Sequence, residues 1–170
     1  QKLIAGMHKG IARLNDDASD REKSFKELLA FLHEQKSILA ATPSIWPVEG
    51  WVTSEFGMRQ SPFSSGREFH KGLDIATRFG SEIIAPADGF VLTSGFDPQD
   101  GNFVKIDHGR SVSTVYCHLS RLTVKQGIRV KRGDVIGYVG DTGRSTGAHL
   151  HYTVLLNDIP VNPRDYLKSS

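Results

Sequence analysis

The sequence has a single cysteine, no long apolar run and almost no excess of charge. Cys117 is the only thiol among 170 residues, so an intrachain disulfide is excluded. No run of apolar residues approaches the roughly 20 that a membrane-spanning helix needs. The 21 basic and 19 acidic side chains leave a net charge of +2, which is too small to indicate a nucleic-acid partner. We therefore predict no membrane span and no nucleic-acid ligand.

Residues 1–41 are predicted to form an α-helical arm. Apolar side chains recur there at alternating steps of three and four residues, as in a coiled coil, although Arg21 and Gln35 interrupt the pattern. Residues 19–22 form a capping-box sequence, so one long helix and two successive helices both fit. The arm is either a coiled-coil remnant that binds itself or a protein partner, or a helix packed on its own domain. The apolar positions are Ile4, Met7, Ile11, Leu14, Ala18, Phe25, Leu28, Leu32 and Leu39.

Residues 42–47 are predicted to be a linker, because Pro43 and Pro47 cannot continue a helix. From residue 48 onward, short alternating runs separated by glycine are typical of β-strands. Residues 48–170 are therefore expected to form a mainly β domain. The predicted strands lie at residues 52–55, 73–76, 83–85, 89–96, 103–107, 111–119, 134–139 and 151–156.

Three connections between the predicted strands are of interest. Residues 107–110 are predicted to form a hairpin turn, which would leave His108 exposed. Residues 59–69, rich in Ser, Pro and Gly, and residues 97–102 are longer irregular connections. Such loops often contact substrate beside a site, although they can also be plain connectors. We expect these two to wall a cleft.

The segment Gly-Arg-Ser-Thr-Gly-Ala-His-Leu-His at residues 143–151 is the first candidate for chemistry. Side chains two residues apart on a strand point to the same face, so His149 and His151 should stand side by side. Leu150 and Tyr152 would then lie on the opposite face. The preceding glycines let the backbone come close to whatever the histidines hold. Two imidazoles in such a place indicate a metal site or an acid–base site.

Two other segments supply side chains of the same kind. His70 and Asp74 are four residues apart, a spacing that places them on one face of either a helix or a strand. His118 ends the alternating run 112–118, so Cys117 should be a buried thiol that points away from the ligand face. Two histidines and one carboxylate, with water in the fourth position, are typical of a catalytic rather than a structural zinc site.

These motifs resemble the lysostaphin-like, or LytM-type, zinc metalloendopeptidases that cut bacterial peptidoglycan. The resemblance extends from about residue 46 to residue 167 and follows the order of the family's motifs. The motifs that carry it are His-Lys-Gly-Leu-Asp at 70–74, Tyr-Cys-His-Leu at 116–119, His-Leu-His at 149–151, Ser-Glu-Phe-Gly-Met-Arg at 54–59, Ala-Pro-Ala-Asp-Gly at 85–89, the glycine-punctuated segment 127–137 and Gly-Asp-Thr-Gly at 140–143.

The resemblance implies a role for each of five side chains. His70, Asp74 and His151 would be the protein ligands of one zinc ion, with a water molecule as the fourth ligand and nucleophile. His118 and His149 would be the catalytic pair, and which of them acts as the general base stays open. The implied fold is a mainly antiparallel β core with a metal-binding groove, to which the α-helical arm is an addition.

The resemblance also implies a substrate and a compartment. The expected reaction is hydrolysis of the peptide stems that cross-link peptidoglycan, outside the cytoplasm. D-Alanyl-to-diaminopimelate links in the periplasm of a Gram-negative bacterium are preferred over glycine bridges, because the arm resembles that of envelope-spanning relatives. An export signal is expected to lie outside the sequence. Two alternatives are a regulator that only activates other cell-wall hydrolases and an enzyme that its own arm masks.

Three positions depart from the commonest pattern of the family. Cys117 stands where a small residue is usual, Ala148 where proline is frequent, and Thr153 where an acidic residue is frequent. None of these departures removes an implied ligand or catalytic imidazole. Thr153 could nevertheless change the support that a metal ligand receives from its neighbours.

Overall fold

A computed structural model of the chain describes residues 2–167 as one long helix followed by twelve β-strands and a short 3-10 helix. Residues up to Leu39 form one compact unit, and residues from Ala40 onward form a second. The elements are α1 (Lys2–Ala41), β1 (Trp51–Ser54), β2 (Gly57–Gln60), β3 (Arg67–His70), β4 (Leu73–Ala76), β5 (Glu82–Ile84), β6 (Gly89–Asp97), β7 (Gly101–Gly109), β8 (Val112–Leu122), β9 (Arg129–Val130), β10 (Val135–Val139), β11 (His149–Leu156), β12 (Ile159–Val161) and η1 (Pro163–Asp165).

Helix α1 is continuous, so the structure favours one long helix over two successive ones. Residues 15–17 contain neither glycine nor proline, and their modest helix propensities cost less than about 1 kcal/mol each. The large apolar side chains of the predicted coiled-coil pattern lie between 52% and 69% exposed. No stretch of helix among residues 2–167 is apolar and long enough to cross a membrane.

The second unit is built on a ten-stranded sheet with entirely antiparallel pairing, which confirms the predicted fold class. Its main path is β1-β4-β11-β8-β7-β6-β9, while β10 joins β8 to β5 and β12 pairs with β11. Strands β2 and β3 form a separate hairpin. One face of the central strands is buried by apolar side chains at every second position. These include Leu73, Ile75, Val104, Ile106, Tyr116, Leu150, Tyr152 and Val154.

The prediction that His108 is exposed is wrong, since this residue is only 5% exposed. The turn lies further along, at Arg110 and Ser111, whose φ angles of 51° and 62° suit a tight hairpin. Strand β7 therefore continues through His108, and its period of two puts this ring on the core face with Ile106. The ring donates through Nδ1 to the Asp88 carbonyl at 2.7 Å and accepts at Nε2 from the Thr114 hydroxyl at 2.8 Å.

Burial lowers the pKa of His108, so we predict a dependence of stability on pH. Between the lowered pKa of the folded state and the ordinary pKa of about 6.5 in the unfolded chain, the unfolded chain binds more protons. Stability is therefore lost as the pH falls below about 6.5. His108→Gln should reduce the free energy of unfolding at pH 8 by about 1–3 kcal/mol, because two buried hydrogen bonds are disturbed. Urea unfolding followed by tryptophan fluorescence should show this deficit shrinking at pH 5. A deficit that does not change with pH would contradict the assignment.

Candidate metal centre

Strand β11 brings the candidate residues together because it pairs with β4 on one side and β8 on the other. His151 lies directly across from Asp74 on β4 and from Cys117 on β8. His70 reaches the same place from the end of β3, through a tight turn at Gly72. A Cβ at Gly72 would collide with the Tyr152 carbonyl oxygen, so this turn can lie against β11 only with glycine.

Three ligand atoms converge at this junction. Asp74 Oδ1 lies 2.7 Å from His151 Nδ1 and 3.1 Å from His70 Nε2, and the two ring nitrogens are 3.1 Å apart. His70 and Asp74 are buried, and His151 is half-buried. A cluster of two imidazole nitrogens and one carboxylate oxygen could hold a divalent cation, and this donor set suits zinc.

The second nitrogen of each cluster histidine is held by a hydrogen bond that fixes the ring. His70 donates through Nδ1 to the Glu55 carbonyl at 2.8 Å, which leaves Nε2 for the cluster. His151 donates through Nε2 to the Thr153 hydroxyl at 3.2 Å, which leaves Nδ1 for the cluster. Such outer hydrogen bonds orient the imidazoles of metal sites and select their tautomers.

His118 and His149 stand beside the cluster with their ring centroids 4.8 Å apart. His118 donates through Nδ1 to the Thr142 carbonyl at 2.9 Å, and His149 donates through Nδ1 to the Gly147 carbonyl at 2.8 Å. The Nε2 atom of each ring is therefore available to accept or donate a proton. His149 Nε2 lies 3.8 Å from Asp74 Oδ1. The structure thus brings together all five side chains that the sequence singled out.

Strand alternation fails at His118, which has a φ of 66°. Asn102 pairs with Leu119 and Val104 with Tyr116, so β8 carries an extra residue at this point, as in a β-bulge. Cys117 pairs with His151 across the sheet and faces the groove with it, so the prediction that the thiol points away from the ligand face is wrong, although the thiol is only 3% exposed. The bulge turns His118 onto the groove face as well. Strained backbone of this kind is concentrated at functional sites.

The charges of the site follow from its burial. Desolvation alone would raise the pKa of Asp74, but the contacts of its carboxylate with His151, His70 and Arg59 outweigh it and hold that pKa well below the usual range. Desolvation lowers the pKa of His118, although its hydrogen bond to the Thr142 carbonyl opposes the shift. Near neutral pH the centre therefore combines an anionic carboxylate with a neutral His118 that is able to accept a proton.

The centre lies in a groove of about 730 Å³. Both predicted loops contribute to its lining, the first through Pro62 and Phe63 and the second through Gln99 and Asp100. Arg144 belongs to the segment that precedes His149, and it contacts the loop at residues 59–69, because its guanidinium stacks 4.2 Å from the centre of the Phe63 ring. A groove of this volume can accept a short extended peptide.

The antiparallel sheet and the His–Asp–His cluster in its groove define a β-sheet protein with a candidate metal centre. The sequence pattern of Peptidase family M23 matches residues 68–163, and the chain belongs to this family. The family and the cluster together indicate zinc.

Individual relatives agree with this assignment. The chain is 45% identical over 112 residues to the DD-carboxypeptidase/endopeptidase Mpg of Neisseria meningitidis serogroup B, a match that covers 66% of this chain and 26% of that protein. It resembles the structure of a zinc-containing peptidase from Vibrio cholerae with a TM-score of 0.68 and 35% identity, over 76% of this chain and 40% of that one. The catalytic domain of lysostaphin from Staphylococcus simulans matches with a TM-score of 0.63 and 27% identity, over 69% and 91% of the two chains. The chain therefore spans about a quarter of the length of the Neisseria relative.

The structure adds supporting residues that the sequence analysis did not identify. The carbonyls of Glu55, Thr142 and Gly147 anchor three of the four imidazoles. Every residue type has a backbone carbonyl, so the sequence cannot indicate which carbonyls accept these hydrogen bonds. Arg59 donates to Asp74 Oδ2 at 2.5 Å, and its place in the Ser-Glu-Phe-Gly-Met-Arg motif was the one available hint.

Thr153 is expected to strengthen metal binding through its hydrogen bond to His151. Thr153→Val keeps the shape of the side chain but removes the acceptor, and should weaken zinc binding about 10-fold, the lower end of the range for lost outer hydrogen bonds. Thr153→Ser keeps the hydroxyl and serves as the matched control. Competition with a chromophoric chelator measures the affinity. Equal affinities of the valine and serine variants would show that this hydroxyl does not support the site.

Proposed function

We propose that this protein is a zinc-dependent endopeptidase that hydrolyses peptide cross-links of bacterial peptidoglycan. In this proposal residues 48–170 are the peptidase domain, residues 42–47 are a linker and residues 1–41 are an α-helical arm. The observation that carries the proposal is the convergence of three ligand atoms beside two anchored imidazoles within one peptide-sized groove.

His70, Asp74 and His151 would hold a single zinc ion, with a water molecule as the fourth ligand. Zinc bound there supplies a Lewis acid that polarises a carbonyl and lowers the pKa of water towards neutrality. The burial of His70 and Asp74 and the fixed orientation of both rings support this role, because they hold the donor atoms in place before any metal arrives.

His118 and His149 would carry the proton transfers. The Nδ1 atom of each ring is engaged with a carbonyl, so only Nε2 can exchange a proton in the groove. The lowered pKa of His118 keeps its Nε2 free to accept a proton from the attacking water. An imidazole in the charged form could then donate to the leaving amine or to the oxyanion. The similar positions of the two rings leave both assignments of base and donor open.

The proposed substrate is a D-alanyl-to-diaminopimelate link in the periplasm of a Gram-negative bacterium. Support comes from the Neisseria relative, which is named a DD-carboxypeptidase/endopeptidase. The regulator alternative is not favoured, since no candidate side chain of the centre has been lost.

The experiment is a muropeptide profile of purified sacculi incubated with the zinc-loaded protein. Cross-linked dimers should disappear, and the masses of the products should identify the cleaved bond. His151→Ala removes one ligand atom and should abolish the reaction, as should chelation. Dimers that persist with a protein shown to hold zinc, both in the full chain and after deletion of residues 1–41, would overturn the proposal; activity gained on that deletion would show that the arm masks the groove.

A second variant separates chemistry from metal binding. His118→Asn suits the positive φ of this position, because asparagine tolerates the left-handed region. It should keep the zinc affinity of the wild type and lower kcat by about 10²–10⁴-fold, the usual contribution of a general acid or base. A variant with normal kcat would remove His118 from the catalytic pair.

The arm is proposed to form a coiled coil with a second copy of this chain. Its exposed apolar side chains follow the alternating three- and four-residue spacing through which one helix packs on another of the same pattern. Leu28→Lys combined with Leu32→Lys places charge in that stripe, whereas Glu34→Lys changes charge outside it. Sedimentation should show a dimer for the wild type and the Glu34 variant, and a monomer for the double variant. A monomeric wild type at about 100 µM would contradict self-association and leave a different protein as the partner.

A further inference from the structure

The two oxygens of Asp74 face different surroundings. Oδ1 faces His70 Nε2 and His151 Nδ1, at 3.1 and 2.7 Å. Oδ2 points the other way and accepts a hydrogen bond from Arg59 Nη1 at 2.5 Å. A hydrogen bond between a guanidinium and a carboxylate is stronger than one between neutral groups. Oδ1 is therefore the oxygen that faces the two ring nitrogens, while Oδ2 is engaged by the guanidinium.

Arg59 is itself held in place from the neighbouring strand. It lies directly across from Glu68 in the β2–β3 hairpin, and its Nε and Nη2 atoms are both 3.0 Å from Glu68 Oε1. Glu68 Oε2 in turn accepts from the Ser61 hydroxyl at 2.9 Å, and Arg59 Nη1 also donates to the Ser54 hydroxyl at 2.6 Å. The Arg59 side chain is 22% exposed. Contacts on three of its nitrogens prevent the guanidinium from swinging away from Asp74.

We propose that Arg59, fixed by Glu68, is a positioning residue that keeps Asp74 a one-oxygen metal ligand. This inference rests on the proposed function. A carboxylate can bind a divalent cation through one oxygen or through both, and the second oxygen would occupy the position that a catalytic site must leave open. Because Arg59 holds Oδ2, that position remains free for water and substrate.

A positioning role for Arg59 can be distinguished from two simpler roles. A residue that only braces the β2–β3 hairpin would affect folding and leave the coordination of a bound metal unchanged. A residue that only binds a carboxylate of the substrate would raise KM without altering the metal in the absence of substrate. A positioning residue changes the coordination of the metal in the free protein and lowers kcat.

Cobalt(II) is the probe, because its four-coordinate complexes absorb visible light much more strongly than its five- or six-coordinate ones. The full chain loaded with Co²⁺ should show intense absorption for the wild type and clearly weaker absorption for Arg59→Gln. The same variant, loaded with zinc, should lose about 10–100-fold in kcat, as expected when an outer contact of a metal ligand is removed, with KM within a factor of about two.

Two further variants keep the test decisive if Arg59→Gln does not fold. Arg59→Lys keeps one charged donor and should retain most of the wild-type absorption. Glu68→Gln weakens the anchor of Arg59 without touching Asp74, and its absorption should lie between those of the wild type and Arg59→Gln. Wild-type spectra for folded Arg59→Gln and Glu68→Gln, or a change in KM alone, would overturn the proposal.

The test also separates this inference from the proposed function. A wild type that binds Co²⁺ but does not cleave sacculi would contradict the endopeptidase proposal, and the spectra of the variants would still report how Asp74 is held. A wild type that fails to bind Co²⁺ would overturn both.

Discussion

The position of β11 between β4 and β8 is the constraint on which the rest of the site depends. Its buried face, formed by Leu150, Tyr152 and Val154, fixes the register of both pairings. A slip of one residue would turn these side chains out of the core and send His149 and His151 into it. The apolar burial of one face of the strand thus determines where the polar centre stands on the other.

The centre is tolerated within the fold because its polar groups are matched to one another. A buried carboxylate and buried imidazoles would be costly if they were left without partners. Asp74 is surrounded by two imidazoles and by the Arg59 guanidinium, and His70 is satisfied by the Glu55 carbonyl. The network that stabilises the apo protein is also the one that orients the donors for a metal.

Much of this arrangement was predictable from the sequence, where the periodic signal was strong. The heptad spacing predicted α1, and the step of two residues correctly placed Leu150 and Tyr152 on the face opposite the histidines. The short strands β2, β3, β9 and β12 were missed, because two to four residues carry too little periodicity to stand out from a loop.

The errors arose where the backbone departs from regular geometry. Regular alternation predicts that Cys117 and His118 lie on opposite faces, but the bulge in β8 adds one residue and turns His118 onto the same face as the thiol. His108 was placed in a turn whose position is decided by the positive φ angles of Arg110 and Ser111. Histidine, arginine and serine do not by themselves indicate a positive φ angle, and the surrounding sheet imposes this conformation on the chain.

The anchoring of three imidazoles on backbone carbonyls has a consequence for how this scaffold can evolve. Main-chain oxygens at Glu55, Thr142 and Gly147 persist whatever side chain those positions carry, provided that the loops keep their path. The orientation of these rings is therefore largely insulated from point mutation at their anchors. The ring of His151 is the exception, because its anchor is the side chain of Thr153. Natural variation that tunes the metal without dismantling the site has its most direct route through this position.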